Sequence, residues 1–363
     1  MEPEPTPRFT FFRNAQETRY ASSWEKLPAG CWEENEDPGR TWWLDVCDAT
    51  EEDVRVVARS LFMHPLTVED IALQESRQKI ETFPGYYLIS LRTLTEITTT
   101  SEEASESKGE IPLSSTTPSP TMLYILVFSQ GTVTFSRSGT GHAARVRSRI
   151  SRLHDPSVLS SDWICYALLD DVIDSFQPHM ESTSRESEAI QDQIFIARDD
   201  DMTPLMLRIY NIRKRINHLT HSLSGKSDVL NGFVNRCKSK GWHSALPEGD
   251  LIVYLSDVQD HLVTILAELG HLDEITSRLQ SNFLAQTSVN NMRLSVRLNS
   301  GLSKVTVLAT IFVPLHMITG LFGMNVTVPG QDIDSLTWFF GIVGVFLAVI
   351  VVASFAAVRL KLL

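Results

Sequence analysis

The chain has 363 residues, 43% of them hydrophobic and 21% charged, with a net charge of −12, so it is long enough for two domains and a further element. The acidic balance argues against a general nucleic-acid binder, which needs basic surface to neutralise phosphates; it suits a surface that gathers cations, but on charge alone plain solubility is the better account. The four cysteines, Cys31, Cys47, Cys165 and Cys237, make no CxxC pair and lie at no zinc-finger spacing from a histidine, so reduced cytosolic thiols are expected rather than a disulfide framework or structural zinc. The acidic, proline-rich start, MEPEPTPRFTFF, lacks the basic residues and apolar run of a signal peptide.

Residues 1–160 read as a mixed α/β domain. Thr41–Val46 (TWWLDV) is a β-rich run, and Asp48 and Thr50 follow as turn or cap residues. From Glu51 to Phe62 the apolar positions Val54, Val57, Ala58 and Leu61 fall at helical spacing. Tyr86–Leu94 and Met122–Ser129 read as strands, and Gly131 turns the second into TVTFSR as a hairpin. Between them, about residues 95–120, lies a Ser/Thr/Glu/Pro-rich segment with almost no large apolar side chains. Such a segment cannot offset its ordering entropy, so a disordered insertion is expected there.

Residues 161–302 read as helical. The first helix starts at Ser161 with Asp162 as its expected cap, and Pro178 kinks or ends it. A second runs from about Pro204 to Cys237. A third starts near Asp250 and meets no proline until Pro314, with Leu251, Leu255, Val258, Leu262, Ile265, Leu269, Leu272, Leu279 and Phe283 on one stripe. Two stacked helices are the alternative to one long stalk.

Residues 303–363 carry two apolar stretches, about 305–322 and 336–358, and a short basic tail. The first, VTVLATIFVPLHMITGLF, has 18 residues and covers about 27 Å as a helix, close to the hydrocarbon thickness of a bilayer. The second, LTWFFGIVGVFLAVIVVASFAAV, has 23 residues and no charge. Arg293, Arg297 and Lys304 precede the pair, and Arg359 and Lys361 follow it. The linker Gly323–Ser335 holds two aspartates and no basic residue. Both termini and the large domain are therefore expected in the cytosol. Two spans cannot enclose a water-filled path, so a pore requires several copies about an axis. Thr306, Thr310, His316, Thr319 and Gly320 interrupt the first span, which is expected to line that pore, while the second faces lipid.

The first span ends in Phe322–Val326, FGMNV. That tripeptide at the outer end of the penultimate span, ahead of a last span and a basic tail, resembles the CorA family of magnesium channels. Thr41–Val46, His64–Ile71 (HPLTVEDI), the YALLDDVID helix and the long stalk are similar to the same family. TGLFGMNVTVPGQ and KSDVLNGF resemble its fungal ALR branch. The resemblance implies an α+β cytosolic domain with a long helical stalk and a two-helix transmembrane hairpin, assembled as a funnel-shaped homopentamer. It implies a channel for Mg2+, with Gly323, Met324 and Asn325 as the selective outer mouth and Asn325 meeting the ion through its bound water. Carried over from the family, the pore-lining residues are Asn299, Leu302, Val305, Ala309, Val313, His316 and Gly320, with Val305, Ala309 and Val313 as an apolar gate.

An amide ring suits magnesium, which holds its water tightly and prefers oxygen partners, and neutral amides release the ion again. His316 departs from the small polar residue expected and suits a softer ion, so a zinc or other transition-metal transporter of the same fold stays open. A non-conducting membrane-tethered regulator is the other alternative. An enzyme is not expected, since the chain lacks GxSxG, P-loop and HExxH motifs. Expected partners are further copies of the chain, the lipid bilayer and divalent cations, with no nucleic acid. The expected location is the plasma membrane, with the vacuolar membrane as the alternative. The resemblance also implies regulation by cytosolic Mg2+ at acidic sites; Asp170, Asp171, Asp174, Asp257, Asp260, Glu268, Asp273 and Glu274 are the acidic candidates, and the sequence does not choose among them.

Overall fold

Runs of β-branched and aromatic residues form one seven-stranded sheet. Its strands are β1 (Phe9–Arg13), β2 (Glu17–Ala21), β3 (Trp42–Cys47), β4 (Lys79–Phe83), β5 (Tyr86–Thr95), β6 (Ser119–Phe128) and β7 (Gly131–Ser136). Their order is β2-β1-β3-β7-β6-β5-β4, with β3 and β7 parallel and the other neighbours antiparallel. The helices are α1 (Glu51–Ser60), α2 (Pro65–Ala72), α3 (His142–Ile150), α4 (Ser161–Asp174), α5 (Gln177–Ile196), α6 (Met202–Leu223), α7 (Lys226–Lys238), α8 (Asp250–Phe322) and α9 (Thr337–Arg359). The computed structural model describes residues 8–13, 17–27, 41–95, 119–152, 159–196, 202–238, 250–326, 328, 330 and 336–359. The chain forms two compact units, residues 1–197 with 203–280, and 198–202 with 281–363.

In the first unit the sheet buries both faces, and the period of two sorts its side chains. Tyr86 and Leu88 join Trp42, Leu44, Leu126 and Val133 in a core with Val54 and Val57 of α1 and Ile71 of α2. The next residue, Tyr87, points the other way. Its hydroxyl donates to Asp162 of α4 at 2.6 Å, its ring lies 5.7 Å from Phe233 of α7, and the Arg236 guanidinium sits over it at 4.4 Å. Helices therefore cover the sheet on both sides. On the α3 side, Trp43 Nε1 donates to Thr134 Oγ1 at 3.0 Å, and Thr134 in turn donates to Asp45 at 2.7 Å. Arg147 of α3 meets the same carboxylate at 3.1 Å.

Several local expectations hold and several change. Thr50 caps α1 with a full capping box to Asp53, and β6 and β7 form the expected hairpin. The cap of α4 is Ser160, not Asp162: Ser160 Oγ accepts from the Trp163 N–H at 3.1 Å, and Asp162 lies inside the first turn, committed to Tyr87. Pro178 is the second residue of α5, a position where its missing N–H has no intrahelical partner to lose. The expected helix from Pro204 to Cys237 is two helices, because Gly225 adopts φ +88 between α6 and α7. Strands β1, β2 and β4 and helix α3 were not expected. Thr95 pairs with Ser119 at the open ends of β5 and β6; the rest of the Ser/Thr-rich insertion, residues 96–118, lies outside the described residues, as does Cys31.

Helix α8 runs through 73 residues without a break at Gly270, Gly301 or Pro314. This excludes two stacked helices. Leu251, Leu255, Val258, Leu262, Ile265, Leu269, Leu272, Leu279 and Phe283 are all buried, as their spacing requires. From Leu284 to Leu302 the large apolar residues, among them Val289, Met292, Leu294 and Val296, are exposed. In the second unit, the later part of α8 and Thr337–Phe355 of α9 are long and apolar enough to cross a membrane.

Candidate functional site

The site is built on the end of α8. Helix termini leave carbonyls without partners. Here the Gly323 N–H donates to Thr319 O at 3.0 Å and to Gly320 O at 3.2 Å, closing the last turn. The chain then bends through Met324, Asn325 and Val326, and all three side chains are exposed. Asn325 therefore stands beyond the ladder of the helix, free of any capping duty among the described residues.

Behind it, Asn299, Leu302, Val305, Ala309, Val313, His316 and Gly320 lie on one uninterrupted helix and all are exposed. Their steps of three and four residues keep them on one face. Pro314 removes the N–H that would reach the Thr310 carbonyl, yet the helix continues. The threonines behave differently from the expectation that they mark a wet face. Thr306 Oγ1 donates to Leu302 O at 2.9 Å, Thr310 to Thr306 O at 2.8 Å and Thr319 to His316 O at 2.9 Å. Their hydroxyl protons are satisfied within the helix, so these residues do not by themselves tell a pore face from a lipid face.

The acidic candidates fall into different environments. Asp170, Asp174 and His261 bring their ligand atoms within 4.8 Å of one another. The sequence indicated the two aspartates but missed His261, which is separated from them by the whole of α5, α6 and α7. Asp170 is bound to Arg149 at 2.5 Å, so a cation held here would share that carboxylate with the guanidinium. Burial, and then the neighbouring Asp170 carboxylate, push the Asp174 carboxyl up from its ordinary value. Asp171 is engaged elsewhere, with His142 at 2.7 Å and Arg145 at 2.9 Å. Glu274 pairs with Arg278 one turn on. His142 is buried between Asp171 and Thr93, which fits a structural role; His64 caps α2; His154 lies outside the described residues.

The family described as CorA-like Mg2+ transporter protein matches residues 39–360, nearly the whole chain. This chain belongs to the CorA-like Mg2+ transporter family. It is 35% identical over 393 aligned positions to the magnesium transporter ALR2 of Saccharomyces cerevisiae, covering 96% of this chain and 44% of that one. It is 40% identical over 363 positions to a Schizosaccharomyces pombe protein named as a candidate metal ion transporter, covering 98% of this chain and 56% of that one. The chain thus spans about half the length of the curated relatives it matches. The solved CorA magnesium transporter of Methanocaldococcus jannaschii superposes with a TM-score of 0.64 at 15% identity, covering 98% of both chains, a likeness of fold. In this CorA-like chain the Gly-Met-Asn turn falls at the end of the helix that leads out of the folded unit. The family is one of transporters, in agreement with the expectation that the chain is not an enzyme.

Proposed function

We propose that the chain assembles as a homopentamer in a membrane and conducts divalent cations, magnesium first. The observation that carries this reading is Asn325, exposed directly past the closed last turn of α8, in a chain of the CorA-like family. In a ring, five such amides would offer oxygens to the water shell of Mg2+ without stripping it. Gly323 supports the bend. The stripe Asn299, Leu302, Val305, Ala309, Val313, His316 and Gly320 would line the path, with Val305, Ala309 and Val313 as a constriction that gates by dewetting. The basic residues on either side of the spans support an orientation with both termini in the cytosol and the mouth outside. The plasma membrane is the first choice of location and the vacuolar membrane the second.

The test is Mg2+ flux into liposomes holding the purified full chain. Uptake is expected in wild type, and Asn325→Ala is expected to abolish it while the assembled size on a column stays the same. Normal flux through a correctly assembled Asn325→Ala would overturn the proposal. One observation favours a second ion class: His316, an imidazole on the proposed pore face, suits zinc or nickel better than magnesium. Competition between Mg2+, Zn2+ and Ni2+ in the same liposomes separates the two.

A further inference from the structure

The chain returns from the mouth to the second span by an aromatic contact that the motif does not contain. Gly330 has φ +96, a conformation that L side chains rarely adopt. Its backbone lies flat against the Trp338 indole, so close that an added Cβ would stand 2.5 Å from Cγ and 2.7 Å from Cδ1 and Cδ2. Trp338 also lines the groove between the two helices of the second unit, together with Ile318, Phe322, Gly341 and Ile342. Phe322 is the residue immediately before Gly323. Trp338 thus relates to the chain on both sides of Asn325: Phe322, three residues before it, lines the same groove, and Gly330, five residues after it, lies against the indole.

We infer that Trp338 and Gly330 are positioning residues for the Asn325 mouth, a role that rests on the channel reading above. A ring of amides binds a hydrated ion only if every copy presents its oxygen at the same radius, and misplacement of about 1 Å is enough to weaken such a site. Asn325 lies on a bend outside any helix or strand, where the backbone alone does not fix its place. The indole does so by seating the returning chain on a rigid span. Glycine is required at 330 on two counts, the left-handed φ and the absent Cβ, and a flat aromatic ring is required at 338.

The experiment measures Mg2+ uptake against Mg2+ concentration for the full chain in liposomes, with assembled protein quantified in each sample. Gly330→Asn adds the Cβ that meets the ring while keeping backbone strain low, because asparagine enters the left-handed region more readily than other residues with a Cβ. Half-saturating Mg2+ is expected to rise about fivefold or more in Gly330→Asn and in Trp338→Ala, and to stay within about twofold in Trp338→Phe and in Phe340→Ala, an exposed aromatic two residues away. In the Trp338→Ala background, Gly330→Asn is expected to add almost nothing, since the ring it strikes is gone. A merely structural role would lower the amount of assembled protein and the maximal uptake and leave half-saturation alone. If Trp338→Ala does not assemble, Gly330→Asn and Trp338→Phe carry the test. Wild-type half-saturation in Gly330→Asn, with uptake still abolished by Asn325→Ala, would overturn this proposal and leave the channel reading standing. Uptake unchanged by Asn325→Ala would overturn both.

Discussion

Two residues show how differently polar groups are used along this chain. His316 sits exposed on α8, on the face proposed to line the pore. Imidazole binds nickel well, so Ni2+ is expected to block Mg2+ uptake, and His316→Thr is expected to weaken that block about tenfold or more. Equal block in both proteins would take His316 off the ion path. Asp171 sits in the first unit, where burial alone would raise its carboxyl, but hydrogen bonds from His142 and Arg145 outweigh burial and hold it below its ordinary value of 3.8. A carboxylate with a depressed folded value contributes stability that is present above the unfolded value and lost as pH falls through the folded one. The advantage of wild type over Asp171→Asn in thermal melting is therefore expected to be full above about pH 4 and to shrink below it. A constant difference from pH 7 to pH 3 would contradict this assignment.

At the scale of elements, a single glycine fixes how the two parallel strands meet. Gly131 of β7 lies directly opposite Trp42 of β3, and a Cβ there would stand 2.0 Å from the indole. Gly131→Ala overfills that site and is expected to cost about 1–3 kcal/mol, read as a lower melting temperature of the full chain in detergent. An unchanged melting temperature would mean the ring moves aside freely. The same scale explains what the sequence could convey. The central strands β3, β5, β6 and β7 were legible because their β-branched and aromatic runs are long or bounded by Gly131, and α8 because its buried stripe repeats through Phe283. Strand β4 was not, since KIETF is short, lies at the sheet edge and is only half-buried. Strands β1 and β2 follow a proline-rich start that resembles a tail, and α3, HAARVRSRI, hides a buried face among three arginines. The break at Gly225 and the cap at Ser160 each turned on one residue's backbone. At the candidate site the Gly-Met-Asn motif was legible because three residues in a fixed place sufficed. The approach of His261 to Asp170 and Asp174, and of Gly330 to Trp338, depends on how distant segments fold together, which no local pattern encodes.

At the scale of the whole molecule, α8 belongs to both compact units. Its buried stripe ends near Phe283, and its apolar residues from Leu284 to Leu302 are exposed in the single chain; the proposed ring would cover them with neighbouring copies. The continuous course of α8 through 73 residues makes it a shaft, and a shaft has a phase. One residue inserted after Ser288 advances everything beyond it by about 100° and 1.5 Å, whereas seven residues return it to within about 20° of its original bearing. Mg2+ flux is therefore expected to vanish with a single inserted alanine and to recover in part with an inserted heptad, AAALAAA, despite its larger displacement. Equal loss from both would mean that length, not angle, is what the mouth inherits from the folded unit. Equal tolerance of both would mean that neither is. Angle is the quantity a continuous helix transmits with least attenuation, so a turn of a few degrees about the axis of α8 near Ser288 would reappear at Asn325 as a sideways sweep of its amide.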